Sequence, residues 1–344
     1  MPPVSVPTSF SEADRSNEAA WLREAGLIFE RLTQTPATRV QRLPGGSINR
    51  VFLCTNQDHP ENNLVLRLAP WTQAQNRRGA AAWTQLLHQA GTGVVPYIAT
   101  AEDRDPAQCF WMAMPFVEGV DVGKALPTMT VDEQKVLANT LFERQHLAIQ
   151  ALEPYAQGDC GRALRPEARY PAHEGLPWGK YLVHEFSWRM RRVHRAECGE
   201  RIYALMQEIL AQLMARAFLT VRKQGFMYDI GDRNVMVKDG QLAAIIDQDC
   251  VFFGDRLLAP GLAWATLAAT HATQKSAFVE HWMELELAQA GPNRKARWAS
   301  VQLFCAGWVA SQTGSTAQNG EKCSWEPELA VKLLKTAMQQ ANGR

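Results

Sequence analysis

Residues 225–249, GFMYDIGDRNVMVKDGQLAAIIDQD, limit what this chain can become more than any other stretch. They open as a polar loop and become an apolar run at 234–237. After a break at Lys238-Asp239-Gly240 the apolar character resumes at 242–246. Asp-Gly between two apolar runs specifies a β-hairpin, because both residues tolerate the positive φ of a tight turn. Strand pairing then draws three oxygen-bearing side chains to the ends of one hairpin: Asp229, Asn234 and Asp247. Two carboxylates and an amide oxygen are a hard donor set, suited to Mg²⁺. The bland alternative is an Asp-rich surface hairpin, and the flanking chain decides between the two.

Composition narrows the partners. The chain has 344 residues, enough to bury a large core and to divide into two lobes. Lysine plus arginine number 36 against 35 acidic residues, a net charge of +1. That near-neutral balance argues against a general nucleic-acid binder or a polybasic membrane protein. No apolar run approaches bilayer-spanning length, and the first residues lack the basic and apolar regions of a signal peptide. Seven dispersed cysteines without a C-x-x-C pair read as reduced thiols in a cytoplasmic protein. The chain shows no internal repeat.

The remaining elements follow from periodicity and end signals. A helix is predicted over 12–32, a strand over 38–43 and a second strand over 50–55, with LPGGSINRVFLC running through the turn between the two strands. Paired glycines let backbone amides approach a polyphosphate, although a Gly-Gly turn is also an ordinary hairpin. NLVLRLAP at 63–70 reads as a buried strand interrupted by Arg67, a charge that is costly there unless paired. Residues 72–90 look helical and broken only by Gly79, and 109–122 form a strand with its exit. Thr130 and Glu133 make a capping box at the head of an amphipathic helix to about 152, on which His146 reads as a core or interface residue. Residues 153–180 form an irregular excursion. FSWRMRRVHR at 186–195 could receive an anion, but a solvated helix face is the plainer account. Helices are expected over 200–224, 257–273, 275–290, 294–312 and 326–341, with Trp264, Trp282, Trp298 and Trp308 at core spacing.

Taken together, D-x-x-x-x-N, a hairpin, and a strand ending in Asp resemble the catalytic segment of the protein-kinase-like superfamily. The likeness is greatest to aminoglycoside phosphotransferases and choline-kinase-like small-molecule kinases, whose loop commonly reads H-G-D-x-G-x-x-N where this chain has M-Y-D-I-G-D-R-N. Gly254-Asp255 resembles the later G-D of that branch, and Gly45, Gly46, Asn49 and Phe52 fit its G-G-x-x-N-x-x-(Y/F) loop. The resemblance covers about residues 40–310 and implies an α+β, protein-kinase-like two-lobed fold. Residues 1–118 would form a small N-lobe of antiparallel sheet plus helix, and 119–344 a larger, mainly helical C-lobe.

It also implies transfer of the γ-phosphate of ATP, or GTP, to a hydroxyl of a small molecule with Mg²⁺. In that scheme Asp229 is the catalytic residue, and Asn234 and Asp247 hold the metal. Gly45, Gly46, Ser47, Asn49, Arg67, Met114, Pro115 and Val117 contact the nucleotide. Asp249, Asp255, Glu280, Glu284 and Trp264 are expected on the acceptor side, with Glu280, Glu284 and Glu286 as an acidic rim for a cationic acceptor. The acceptor is an aminoglycoside-like antibiotic, an amino alcohol or a sugar. Neither nucleic acid nor membrane is an expected partner, and the chain is expected as a monomer or homodimer. A protein kinase and a non-catalytic nucleotide-binding module are the alternatives.

Three supporting groups depart from the pattern. Met227 stands where the histidine is usual, and Pro260-Gly261-Leu262-Ala263 replaces a Y-D-(L/I)-A segment. No acid lies between Asn62 and Thr100 to supply the helix glutamate that pairs with the phosphate-binding Lys or Arg.

Overall fold

The computed structural model describes residues 18–43, 50–69, 71, 74–101, 109–156, 160–164, 166, 178–192, 199–270, 276–291, 293–312 and 326–343. Near the N-terminus, strands β1 (Arg39–Arg42), β2 (Arg50–Thr55), β3 (Leu64–Ala69), β4 (Ala99–Thr100) and β5 (Phe110–Pro115) form one antiparallel sheet in the order β1-β2-β3-β5-β4. β3 lies at its centre, which is why all six of its residues, Arg67 included, are buried. Helix α1 (Glu18–Thr33) contributes Trp21, Ala25, Ile28 and Phe29 to an apolar cluster with Phe52, Leu66 and Phe110. Helix α2 (Ala74–Gln89) runs without a break through Gly79, against the expected interruption, since one internal glycine weakens a helix without ending it.

Past β5 the chain makes β6 (Val120–Asp121), a single turn α3 (Val122–Ala125) and the long helix α4 (Val131–Leu152). The predicted capping box is present: the Thr130 hydroxyl accepts from the Glu133 amide, and the Glu133 carboxylate accepts from the Thr130 amide. The excursion holds a short strand, β7 (Gly161–Ala163), before α5 (Trp178–Arg192) and α6 (Glu200–Met214). α6 stops ten residues short of the expected 224, because the turn after it docks on the head of α5. There the Gly179 amide donates to the Leu219 carbonyl at 2.9 Å, and a Cβ at Gly179 would collide with the Arg216 and Ala217 carbonyls.

β8 (Gln224–Phe226) precedes the diagnostic hairpin, β9 (Val235–Lys238) and β10 (Gln241–Ile245). Its turn residues Asp239 and Gly240 have φ of 52° and 73°, the backbone that Asp-Gly predicts. β11 (Val251–Gly254) completes a sheet ordered β7-β11-β8, while β6 joins the hairpin as β10-β9-β6. Four helices follow: α7 (Leu258–Thr270), α8 (Ala277–Gln289), α9 (Arg294–Ala310) and α10 (Pro327–Ala341). α9 packs on α7 and α10, and α8 packs on α4. Trp282 and Trp308 are buried, and Trp264 and Trp298 pack against the same core. Among the described residues no helix is long and apolar enough to cross a membrane.

Candidate active site

The loop between β8 and β9 carries Asp229 and Asn234, and the chain leaving β10 carries Asp247. The hairpin ladder extends one step into the loop, where the Ile246 amide donates to the Asn234 carbonyl at 2.9 Å. Asn234 therefore stands opposite Ile246, one residue before Asp247, at the open end of the hairpin. The Asn234 side chain donates through Nδ2 to the Asp229 carbonyl at 2.9 Å, so Oδ1 is the atom it can offer a cation. Asp247 has φ of 60°. A non-glycine residue in that left-handed region stores about 1 kcal/mol or more, and such strain concentrates at functional sites.

The Asp247 side chain keeps 43% of its surface open to solvent, and Asp229 is likewise reached by solvent, though protein walls surround both. That combination is a cleft floor. Burial, then the charges of Asp247 and Asp232, push the Asp229 carboxyl up to about 7, with Arg162 pulling the other way.

Asp247 is engaged from the N-terminal sheet. Arg67 on β3 reaches its Oδ1 at 2.7 Å and spans both oxygens of Asp249 at 2.8 and 3.0 Å. Arg77 on α2 meets Asp249 Oδ2 at 2.5 Å, and the Tyr97 hydroxyl donates to Asp249 Oδ1 at 2.8 Å. Arg67 also donates to Tyr97. Burial disfavours the Asp249 anion, but Arg67, Arg77 and the Tyr97 hydroxyl outweigh it and hold the carboxyl below its ordinary value. At Asp247 burial prevails over Arg67, with Asp249 adding to it, and the carboxyl is raised.

As the sequence implies, no acid on α2 pairs with Arg67; its carboxylate partners, Asp247 and Asp249, come from the chain after β10. The polarity is exchanged: α2 supplies the cation Arg77, and Asp249, expected on the acceptor side, supplies the carboxylate that ties Arg67 to the helix. A second tie joins the same parts. The segment after α2 pairs with β10, Val95 donating to the Ile245 carbonyl and Ile245 to the Gly93 carbonyl, both at 2.9 Å.

Met227, at the place of the usual histidine, is held through its own backbone. Gln145 on α4, fully buried, donates through Nε2 to the Met227 carbonyl at 2.7 Å and accepts from the Met227 amide at 3.2 Å. Gln248 Nε2 donates to the Asp229 carbonyl at 3.0 Å. Side-chain amides from positions 145, 234 and 248 thus hold the loop backbone. Where the Y-D-(L/I)-A carboxylate would stand, Gly261 instead lets α7 close on Val301 and Cys305 of α9.

Of the other expected nucleotide contacts, Gly45, Gly46, Ser47 and Asn49 lie outside the described residues. Met114 is buried at the end of β5. Past the end of β5 the Phe116 amide donates to the Asn63 carbonyl at 3.0 Å; Pro115 is exposed and Val117 half-buried.

The expected acceptor-side acids are corrected by position. Asp255 is wholly buried, with both oxygens on Arg297 at 2.6 and 2.7 Å. Glu286 is wholly buried against Arg256. Glu284 pairs with His281, which contacts Asn139 on α4, and Glu280 is exposed in the first turn of α8. Trp264 is half-buried against the main core. No hydrogen bond links any of these groups to Asp229.

Comparison with protein families matches residues 39–294 to the phosphotransferase enzyme family, APH. The chain belongs to that family. Comparison with curated proteins finds no match. Among solved structures, the chain is similar to a thermostable mutant of aminoglycoside phosphotransferase APH(4)-Ia in ternary complex with AMP-PNP and hygromycin B. The TM-score is 0.65 at 14% identity, over 93% of this chain and 100% of that one. A Haemophilus somnus protein assigned as a fructosamine-3-kinase gives 0.58 at 12%, over 92% and 97%. A mutant aminoglycoside 2'-phosphotransferase-IIIa in complex with GDP gives 0.58 at 14%, over 94% and 97%. At such identities the structural likeness speaks for the fold, the two-lobed protein-kinase-like one that the family shares.

Nothing in the sequence pattern marked Gln145, Gln248 or Arg77. Gln145 and Arg77 act on groups 82 and 172 residues away in sequence, and Gln248 on a carbonyl 19 residues before it, so no local spacing announces them.

Proposed function

We propose that the chain is a small-molecule kinase that moves the γ-phosphate of ATP or GTP to an acceptor hydroxyl with Mg²⁺. The observation that carries this reading is the shared cleft. Asp229, Asn234 and Asp247 are drawn together by the loop and hairpin, beneath an arginine anchored on the N-terminal sheet. Mg²⁺ takes one or two protein ligands and completes its shell with phosphate oxygens and water. Asp247 and the Asn234 Oδ1 would hold it. Bound there, the ion would offset the charge of the phosphates.

Asp229 takes the proton from the acceptor hydroxyl as its oxygen bonds to the γ-phosphorus, and the bond from that phosphorus to the β-phosphate oxygen breaks, releasing the nucleoside diphosphate. A carboxyl near pH 7 in its proton affinity is matched to that task. Arg67 would meet the α- and β-phosphates, and Gln145, Asn234 and Gln248 would keep the loop in register.

Asp229→Ala is expected to keep nucleotide affinity and lose roughly 10²–10⁴-fold in turnover. Asp247→Ala is expected to lose Mg²⁺-nucleotide binding as well. Calorimetric binding and a phosphate-transfer assay over an acceptor panel check both. Undiminished transfer by Asp229→Ala removes that residue from the reaction.

A further inference from the structure

The small sheet that leads into Asp229 also presents a cation. β7 and β8 flank β11, and Arg162 and Phe226 both stand opposite Phe252, so the three side chains share one face. Tyr228 closes that face, its ring 5.3 Å from Phe252 and 6.1 Å from Trp308, its hydroxyl 3.4 Å from Cys250 Sγ. Arg162 crosses the face to hydrogen-bond Tyr228, the residue next to Asp229, and its side chain remains open to solvent. Beside it Arg189 lies flat on Trp308, 3.6 Å from the ring centroid, and pairs with Glu185 at 2.9 Å. Arg189 therefore does not stand on a solvated helix face. It lines the same wall, where among the described residues Arg162 and Arg189 face Glu185. Burial, Asp247 and Asp232 disfavour the Asp229 carboxylate, and Arg162 acts against them. Of the acids expected to greet a cationic acceptor, Glu286 is sealed in a buried ion pair, Glu284 pairs with His281, and Glu280 is exposed in the first turn of α8.

We infer that the acceptor of this kinase is an anion, a hydroxylated small molecule whose carboxylate or phosphate is held by Arg162 while its hydroxyl faces Asp229. The inference rests on the kinase reading above. A guanidinium offers paired donors that match an oxyanion in geometry as well as charge. A polycationic acceptor would have to place an ammonium group against the same wall, and that repulsion is discrimination in itself.

The test is phosphate transfer to three sets of probes: glycerate, gluconate and glycerol 3-phosphate; glycerol and sorbitol; and hygromycin B. It uses the full chain, Arg162→Gln, Arg162→Lys and Asp229→Ala, with nucleotide hydrolysis and nucleotide affinity measured for each. Transfer is expected to anionic probes only, and the carboxylate and phosphate members show which oxyanion is preferred. Arg162→Gln is expected to raise acceptor KM about tenfold to a hundredfold while leaving nucleotide affinity unchanged, and Arg162→Lys to recover part of the loss. A strand-edge side chain open to solvent is expected to tolerate both changes, and an unchanged Tm establishes it. Transfer to neutral or cationic probes with KM indifferent to Arg162 overturns the inference and leaves the kinase reading standing. So does Asp229-dependent nucleotide hydrolysis with no transfer to any anionic probe. Absence of both transfer and Asp229-dependent hydrolysis overturns the kinase reading, and the inference with it.

Discussion

Asp249→Asn is the substitution that most directly tests the exchanged ion pair. In the native protein Arg67, Arg77, Asp247 and Asp249 form a cluster of two cations and two anions. Both arginine side chains are buried, at 7% and 10% exposure, and Asp249 is 18% exposed. Removing the charge of Asp249 while keeping its shape leaves the cluster with an excess positive charge in a poorly solvated place. Breaking one side of a buried ion pair costs about 3–5 kcal/mol. Arg67 retains Asp247 at 2.7 Å, and asparagine retains one acceptor oxygen, which places the expected loss near the lower end, about 3 kcal/mol. Arg77→Gln added to Asp249→Asn restores neutrality, so the double variant is expected to be more stable than Asp249→Asn alone. Such non-additivity marks direct coupling. Urea unfolding of the four proteins of the cycle measures it, and nucleotide affinity is expected to follow, because Asp249 fixes where Arg67 points. If Asp249→Asn lies within about 0.5 kcal/mol of the native protein, or if the two changes simply add, then the cluster does not tie β3 to α2 and the reasoning fails.

Two further outcomes follow from the loop. Gln145→Leu strips a buried amide from both backbone groups of Met227, and is expected to cost about 2–3 kcal/mol of stability and to lower turnover more than nucleotide affinity; unfolding and steady-state kinetics read the two effects separately. The Asp229 carboxyl, pushed up to about 7, must be ionised to accept a proton, so turnover is expected to fall about tenfold per pH unit below that value. Asp232→Asn removes one of the charges that raise it and is expected to move the inflection to lower pH. The stability sign is the opposite one. Folding favours the protonated form of Asp229, so its contribution is whole below the ordinary 3.8 and is lost as pH rises through about 7. Asp229→Asn is therefore expected to gain stability relative to the native protein between pH 4 and pH 8, as read by urea unfolding at the two pH values.

What could be read in advance divides by the range of the force involved. The Asp239-Gly240 turn, the Thr130–Glu133 cap and the aromatic faces of the C-terminal helices are local. Turn chemistry, end chemistry and periodicity each leave a mark within a few residues, and these appear where the sequence places them. The closeness of Asn234 to Asp229 and to the end of β10 was legible because a hairpin converts spacing into proximity. The acceptor-side acids were not. Asp255, Glu284 and Glu286 look alike as letters, and only the positions of Arg297, His281 and Arg256 decide that two are sealed and one is paired at the surface.

The same distinction explains the departures from the family pattern. A supporting residue is defined by what it holds, a backbone carbonyl or a side-chain charge, and the fold can deliver an equivalent group from any element that passes nearby. The Met227 backbone is held from α4 by Gln145, and Arg67 is tied to α2 through Asp249 and Arg77. Groups that touch the reacting atoms have no such freedom, since their position is set by the phosphates and the acceptor. On that argument the change along α2 is an exchange of scaffold around the proposed centre of Asp229, Asn234 and Asp247. The exchange at α2 is the one that reverses charge. A strand cation that met a helix carboxylate would be indifferent to an added arginine, whereas this chain needs both arginines and Asp249 together, which is why Asp249 and Arg77 are expected to tolerate joint neutralisation better than the loss of Asp249 by itself.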